Sequence, residues 1–245
     1  MFKTIFLINK SVVLLVCLYF IFGCGTSPES IKKEQQDLNS LYPSDTVLIA
    51  THSEWARGHY PIRIKEFKEN PLENNDVVFL GNSITEQGGN WGIRFNNSKV
   101  KNRGIAGDTT DGVLARLDEL IYFKPSQLFI LIGINDLFRE DMSSQKVYDN
   151  IISIVRRIYE ESPETEIYVQ TILPTTTEKL KSKIRLTNTM LKDSEATESY
   201  KLIDLHNYFA LDDDSMDMEL STDGVHLNEN GYRLWINQVK DFLLN

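Results

Sequence analysis

Asp76-Val77-Val78-Phe79-Leu80-Gly81-Asn82-Ser83 runs from β-branched and aromatic residues into a glycine, an amide and a hydroxyl. A short apolar run stopped by glycine reads as a buried strand entering a functional turn. Residues 127–133 (QLFILIG) and 166–172 (EIYVQTI) have the same form, and residues 98–102 and 200–204 (YKLID) read as weaker strands. Between them lie helical patterns at 110–122, 144–161, 176–197 and 230–244. The first places Val113, Leu114, Leu117, Leu120 and Ile121 on one face. Residues 53–70 add a helix before the first strand, ending ahead of Pro71. Strands alternating with helices predict a three-layer α/β/α sandwich around a mostly parallel five-stranded sheet. Such sheets hold their sites at the carboxyl ends of the strands, and Ser83, Gly104 and Asn135 each follow a predicted strand.

The N-terminal region reads differently. Lys3 and Lys10 precede an apolar stretch, residues 11–22, that Gly23-Cys24 closes. This is the pattern of a secretion signal over residues 1–23, and the stretch is short for a helix that must cross about 30 Å of hydrocarbon. Ile21-Phe22-Gly23-Cys24 resembles a bacterial lipobox, in which the cysteine takes a lipid after cleavage; Phe22 and Ile21 are departures from its usual residues. The expected address is therefore outside the cytoplasm, with Cys24 as a membrane anchor on the periplasmic or surface side of the envelope. Residues 24–45 are polar enough to form anchor and tether, leaving 46–245 as the folded domain. With Cys17 lost and Cys24 lipidated, no thiol remains for a disulfide, a metal or catalysis. Loss of Lys3 and Lys10 takes the formal charge from -9 to -11, and no basic cluster offsets it. Nucleic acid is excluded as a partner on that ground.

Asp223-Gly224-Val225-His226 supplies what the serine after the first strand lacks. A serine hydroxyl is a weak nucleophile at neutral pH and needs an imidazole beside it, held in one tautomer by a third group. An aspartate three residues before a histidine lets one loop deliver both. Each residue also has an ordinary reading: Ser83 as a cap, Gly104 as a turn, Asn135 with Asp136 as a cap, Asp223-Gly224 as a turn pair, and His226 as a half-buried ring bonded to backbone. Those readings must hold together in four separate places to displace the catalytic one.

The four blocks, in this order, resemble the SGNH hydrolases, or GDSL-type esterases. Gly81-Asn82-Ser83-Ile84-Thr85 matches the nucleophile block, residues 102–110 (NRGIAGDTT) the glycine block, Gly133-Ile134-Asn135-Asp136 the asparagine block, and Asp223-Gly224-Val225-His226 the last. The run from residue 102 to 118 is most similar to the branch holding platelet-activating-factor acetylhydrolase-like enzymes and carbohydrate acetylesterases. The resemblance implies a flavodoxin-like fold, catalytic Ser83, Asp223 and His226, and an oxyanion hole built from Ser83, Gly104 and Asn135. Neither a phosphate loop nor a zinc spacing such as His-Glu-x-x-His appears, so no cofactor and no metal are expected. Asn82 stands where the family usually has aspartate, which keeps hydrogen-bonding capacity and removes a charge.

Other residues invite weaker readings. His52 and His59 are expected to pack with Trp55 and Tyr60, and His206 to be structural. Residues 212–217 (DDDSMD) lack the glycine and the fifth-position oxygen of a calcium loop. Trp91 reads equally as pocket wall or as core, and Arg103 with Asp108 as a loop brace or as substrate contacts. The expected activity is serine esterase action on short O-acyl groups, chiefly acetyl, of carbohydrates. The alternatives are a lysophospholipase or thioesterase for longer chains, and a noncatalytic glycan-binding module.

Overall fold

A computed structural model describes residues 38–243. The leader, Cys24 and most of the tether lie outside the described residues. Among the described residues, no helix is long and apolar enough to cross a membrane.

The chain alternates as expected: α1 (Glu54–Glu69), β1 (Val77–Gly81), α2 (Ser83–Glu86), α3 (Trp91–Arg94), β2 (Val100–Gly104), α4 (Thr110–Leu114), α5 (Asp118–Phe123), β3 (Gln127–Leu131), α6 (Ile134–Leu137), α7 (Ser144–Glu161), β4 (Glu166–Gln170), α8 (Glu178–Ser194), β5 (Lys201–Ile203), α9 (His206–Phe209) and α10 (Glu229–Val239). The five strands form one sheet, ordered β2-β1-β3-β4-β5, and every pair is parallel. β1 and β3 are buried along their whole length, as their unbroken apolar runs require of strands covered on both faces. Because β2 lies outside β1 while β3, β4 and β5 extend the other way, the strand order reverses at β1 and β3. A doubly wound sheet opens its crevice at that point. Ser83 follows β1 and Asn135 follows β3.

The register of the central strands aligns Phe79 with Phe129 and Phe129 with Tyr168. Their rings stack across the sheet at centroid distances of 4.8 and 4.7 Å. Trp91 closes the row, 4.4 Å from Phe79, with its indole N–H donated to the Thr85 carbonyl and 1 % of its surface exposed. Trp91 is thus core, and its ring secures the turn after the nucleophile to the sheet. Cross-strand aromatic contacts of this type add about 0.5–1.5 kcal/mol each beyond the area they bury.

Three expectations need correction. The helix predicted over 110–122 is two helices, broken around Ala115–Leu117, because Arg116 is drawn inward: its guanidinium bonds Asp108 and the Gly81 carbonyl, and the residue is 5 % exposed. A buried ion pair between distant segments there outweighs a continuous apolar stripe. The tether ends earlier than residue 45. Tyr42 is buried with Tyr60, Ile64, Phe67 and Ile105, and its hydroxyl donates to Glu119 at 2.9 Å. The last helix also stops sooner than predicted, at Val239, and a 3-10 turn (Lys240–Phe242) follows; the Phe242 carbonyl there accepts from Gln127 at 2.7 Å.

Candidate active site

Ser83 is the first residue of α2, immediately beyond β1, and is 7 % exposed. Asn82 caps this helix, its Oδ1 accepting from the Ile84 N–H at 3.0 Å. That capping role asks for an oxygen acceptor and not for a charge, so asparagine serves where aspartate is usual. Asp223 and His226 sit on the loop before α10. Asp223 Oδ1 accepts the backbone N–H groups of Val225 at 3.0 Å and His226 at 2.8 Å, folding the loop around its own side chain. The other oxygen, Oδ2, lies 2.7 Å from His226 Nδ1, and His226 Nε2 lies 2.9 Å from Ser83 Oγ.

These distances assign the protons. Burial pushes the Asp223 carboxyl up, but the bonds from the His226 ring and from the His226 and Val225 N–H groups outweigh it and hold Asp223 below the ordinary aspartate value. An ionised carboxylate only accepts, so Nδ1 of His226 carries the hydrogen and Nε2 presents its lone pair to the Ser83 O–H. A hydroxyl, a basic nitrogen and an orienting carboxylate therefore stand in one line. The arrangement is that of a serine hydrolase.

The predicted oxyanion donors are only partly as expected. The N–H of Gly104 is donated to Asn102 Oδ1 at 2.8 Å, and Gly104 ends β2 packed so tightly on α2 that a Cβ would strike the backbone of Glu86. Gly104 is a close-approach glycine, and its N–H is already taken. Gly107, three residues on, holds φ at +78°. Among the described residues no acceptor is bonded to its N–H or to that of Ser83, and both groups stay open to a ligand. Asn135 belongs with Gly107: its side-chain amide donates to the carbonyl of Asp108 at 2.8 Å, which orients the amide against this loop and leaves one N–H to spare. The sequence carries two glycines here, Gly104 and Gly107, and the one nearer the strand end has its N–H occupied by Asn102.

The loop is braced from beneath. Asp108 is fully buried and bonds His52 Nε2 at 2.9 Å, Arg116 Nε at 3.0 Å and the Thr109 N–H at 3.0 Å. Arg116 also donates to the Gly81 carbonyl, so the strand before the nucleophile and the glycine loop share one guanidinium. Arg103 pairs elsewhere, with Glu119 at 2.7 Å, and braces α5 against the segment around Asn70. Arg103 and Asp108 are both braces, then, but not of each other. His52 exceeds its expected packing role because it completes the Asp108 carboxylate; no local pattern signals a contact 56 residues away. Above the loop, Glu86 of α2 accepts the Ala106 N–H and the His59 ring.

The remaining candidates are structural. His206 bonds the Ile172 carbonyl at 2.9 Å and Asp214 at 2.7 Å. Asp213 and Asp214 of the acidic loop pair with Lys181 and Arg185. A groove of about 1070 Å³ runs along the outer edge of β2 past Phe67, Asn70, Trp91 and Asn102, and none of Ser83, Asp223 or His226 lines it. Its volume does not describe the reacting centre.

Fold and geometry together define an α/β serine hydrolase, and comparison with known proteins identifies the group. The chain belongs to the GDSL-like lipase/acylhydrolase family, whose pattern matches residues 79–234, and is a carboxylic ester hydrolase. It is 30 % identical over 165 residues, 64 % of this chain and 71 % of the relative, to the platelet-activating factor acetylhydrolase IB subunit alpha2 of Rattus norvegicus. Among solved structures it is similar to a GDSL-like lipase from Bacteroides thetaiotaomicron, with TM-score 0.66 and 20 % identity over 78 % of this chain and all of that one. It is similar also to the acetyl xylan esterase AlAXEase, with TM-score 0.59 and 17 % identity over 69 % of this chain and all of that one.

Proposed function

We propose that this hydrolase is an exported, lipid-anchored esterase that removes short O-acyl groups, chiefly acetyl, from carbohydrates. The observation that carries the catalytic part is the continuous Ser83–His226–Asp223 hydrogen-bond chain. Ser83 Oγ attacks the ester carbonyl as His226 Nε2 takes its proton, and the carbonyl becomes a tetrahedral oxyanion. The open N–H groups of Ser83 and Gly107 and the spare amide hydrogen of Asn135 receive that charge. Collapse breaks the bond to the alcohol, which leaves with the proton from His226; water then repeats the sequence on the acyl-serine and frees the acid. The leader and Cys24 support an extracytoplasmic address, where glycans are met. Support for acetyl as the acyl group comes from the names of the rat relative and of the xylan esterase neighbour.

The test compares p-nitrophenyl acetate with p-nitrophenyl octanoate, using Ser83→Ala as control. Acetate turnover that the substitution abolishes supports the reading. Preference for octanoate overturns the short-acyl assignment in favour of a lipid substrate, and turnover retained in the variant removes Ser83 from the mechanism.

A further inference from the structure

The protein has three tryptophans. Trp91 and Trp235 are buried at 1 % and 0 % exposure, whereas Trp55, on the first turn of α1, is 62 % exposed. An indole left in water forgoes the largest apolar burial of any side chain, so what matters is what holds it and where. Trp55 is held by a ring contact. Its ring stacks on His59 one turn along α1, with centroids 4.8 Å apart and planes 22° from parallel. His59 Nε2 in turn lies 3.0 Å from both oxygens of Glu86, and Glu86 accepts the Ala106 N–H.

The position of this ring matters as much as its exposure. A Cβ placed on Gly107 would lie 2.8 Å from Ala56 Cβ and 3.5 Å from a ring carbon of Trp55. The indole edge therefore borders Gly107, and α2, which begins at Ser83, carries the glutamate that anchors the platform. The surroundings choose the ligand. His59 stacks on the ring and pairs with Glu86, which in turn has Arg63 Nε at 3.6 Å. A flat apolar face rimmed by charged and hydrogen-bonding groups suits a pyranose, whose C–H face stacks while its hydroxyls bond outward. An alkyl chain would need an enclosed apolar channel in the same place.

We infer that Trp55 is a sugar-stacking platform that binds the alcohol side of the ester, with His59 and Glu86 as its positioning residues. This rests on the carbohydrate reading proposed above. In the Ser83→Ala protein, titration with an acetylated methyl xyloside should give a saturable change in tryptophan fluorescence, because the other two indoles are shielded. Trp55→Ala in that background should weaken xyloside binding about tenfold by calorimetry, and Trp55→Phe should recover most of it. With Ser83 restored, Trp55→Ala should raise KM for the acetylated xyloside more than it lowers kcat. If the wild-type protein cleaves p-nitrophenyl acetate but not the acetylated sugar, the carbohydrate reading falls and the platform with it. If it cleaves the sugar and Trp55→Ala leaves KM and binding unchanged, the reading stands and the platform is overturned.

Discussion

Ser83 Oγ lies 2.9 Å from His226 Nε2 although 143 residues separate the two, and the distance is set by strand pairing on one side and a self-bonded loop on the other. Parallel pairing of β1 with β2 and β3 fixes where Ser83 emerges. Asp223 fixes the His226 ring through one oxygen and its own loop through the other. Asp223 therefore does two separable jobs, and substitutions can tell them apart.

Asp223→Asn keeps an oxygen for the loop N–H groups but puts an amide where a carboxylate faced Nδ1. The amide can donate to Nδ1 and invert the tautomer, which leaves a hydrogen on Nε2 where a base is needed. We expect kcat to fall about 100- to 10,000-fold with the midpoint of thermal unfolding little changed. Steady-state kinetics with a melting curve checks this; a kcat within threefold of wild type would contradict the tautomer assignment.

Asn135 and Asn102 flank the glycine loop and should respond in opposite ways. Removing one oxyanion donor costs about 100- to 1,000-fold in kcat with little effect on KM, and Asn135→Ala should behave so. Asn102 bonds the carbonyls of Thr85, Glu86 and Gly89 and the N–H of Gly104, all within the scaffold. Asn102→Ala should lower stability by about 2 kcal/mol, shifting the melting midpoint by about 4–8 °C. If Gly104 were the oxyanion donor, freeing its N–H in Asn102→Ala would raise kcat; we expect no such rise.

The central strands were legible because each is a short buried run, β2 and β5 less so because they are only partly buried, and the catalytic loop because serine, aspartate and histidine follow recognisable turns. What was hidden depends on contacts far apart in the chain. The apolar spacing through Val113, Leu117 and Leu120 continues across Arg116, and nothing nearby signals that Asp108 and Gly81 will pull that side chain inward. Tyr42 sits with Leu41 in a mostly polar stretch, and it becomes core only through distant partners: Tyr60, Ile64, Phe67 and Ile105 around its ring and Glu119 at its hydroxyl. Gly104 and Gly107 are identical as letters. They differ in that one N–H is taken by Asn102 and the other is open, which requires the three-dimensional partner list.

Asn82→Asp tests whether the missing family carboxylate matters. Either side chain can cap Ile84, and a charge at the start of a helix is favoured, but it also stands one residue from a serine whose reaction builds negative charge. The two effects oppose each other, so we expect kcat within about fivefold of wild type and a melting midpoint equal or slightly higher. A loss of a hundredfold or more would show that this branch depends on a neutral residue at position 82.

Asp136 should make stability depend on pH near 6. Burial is the largest influence on it and raises its pKa to about 6, against the lowering effect of the Thr110 hydroxyl and N–H, whose bonds measure 2.6 and 3.1 Å. The folded protein thus holds a proton on this group that the unfolded chain releases near pH 4. Its favourable contribution is complete below about pH 4 and is lost as pH rises through about 6, which is the opposite of the salt-bridged case. Asp136→Asn has no proton to lose. Relative to wild type its unfolding free energy should climb by about 2 kcal/mol between pH 4.5 and pH 7.5, whatever constant offset the amide introduces. Carboxylates held low, such as Asp223, act in the other direction but equally in both proteins, so they cancel in the difference. Urea unfolding of the two proteins across that range measures it. A gap that stays constant with pH would mean that Asp136 titrates as an ordinary aspartate despite its burial.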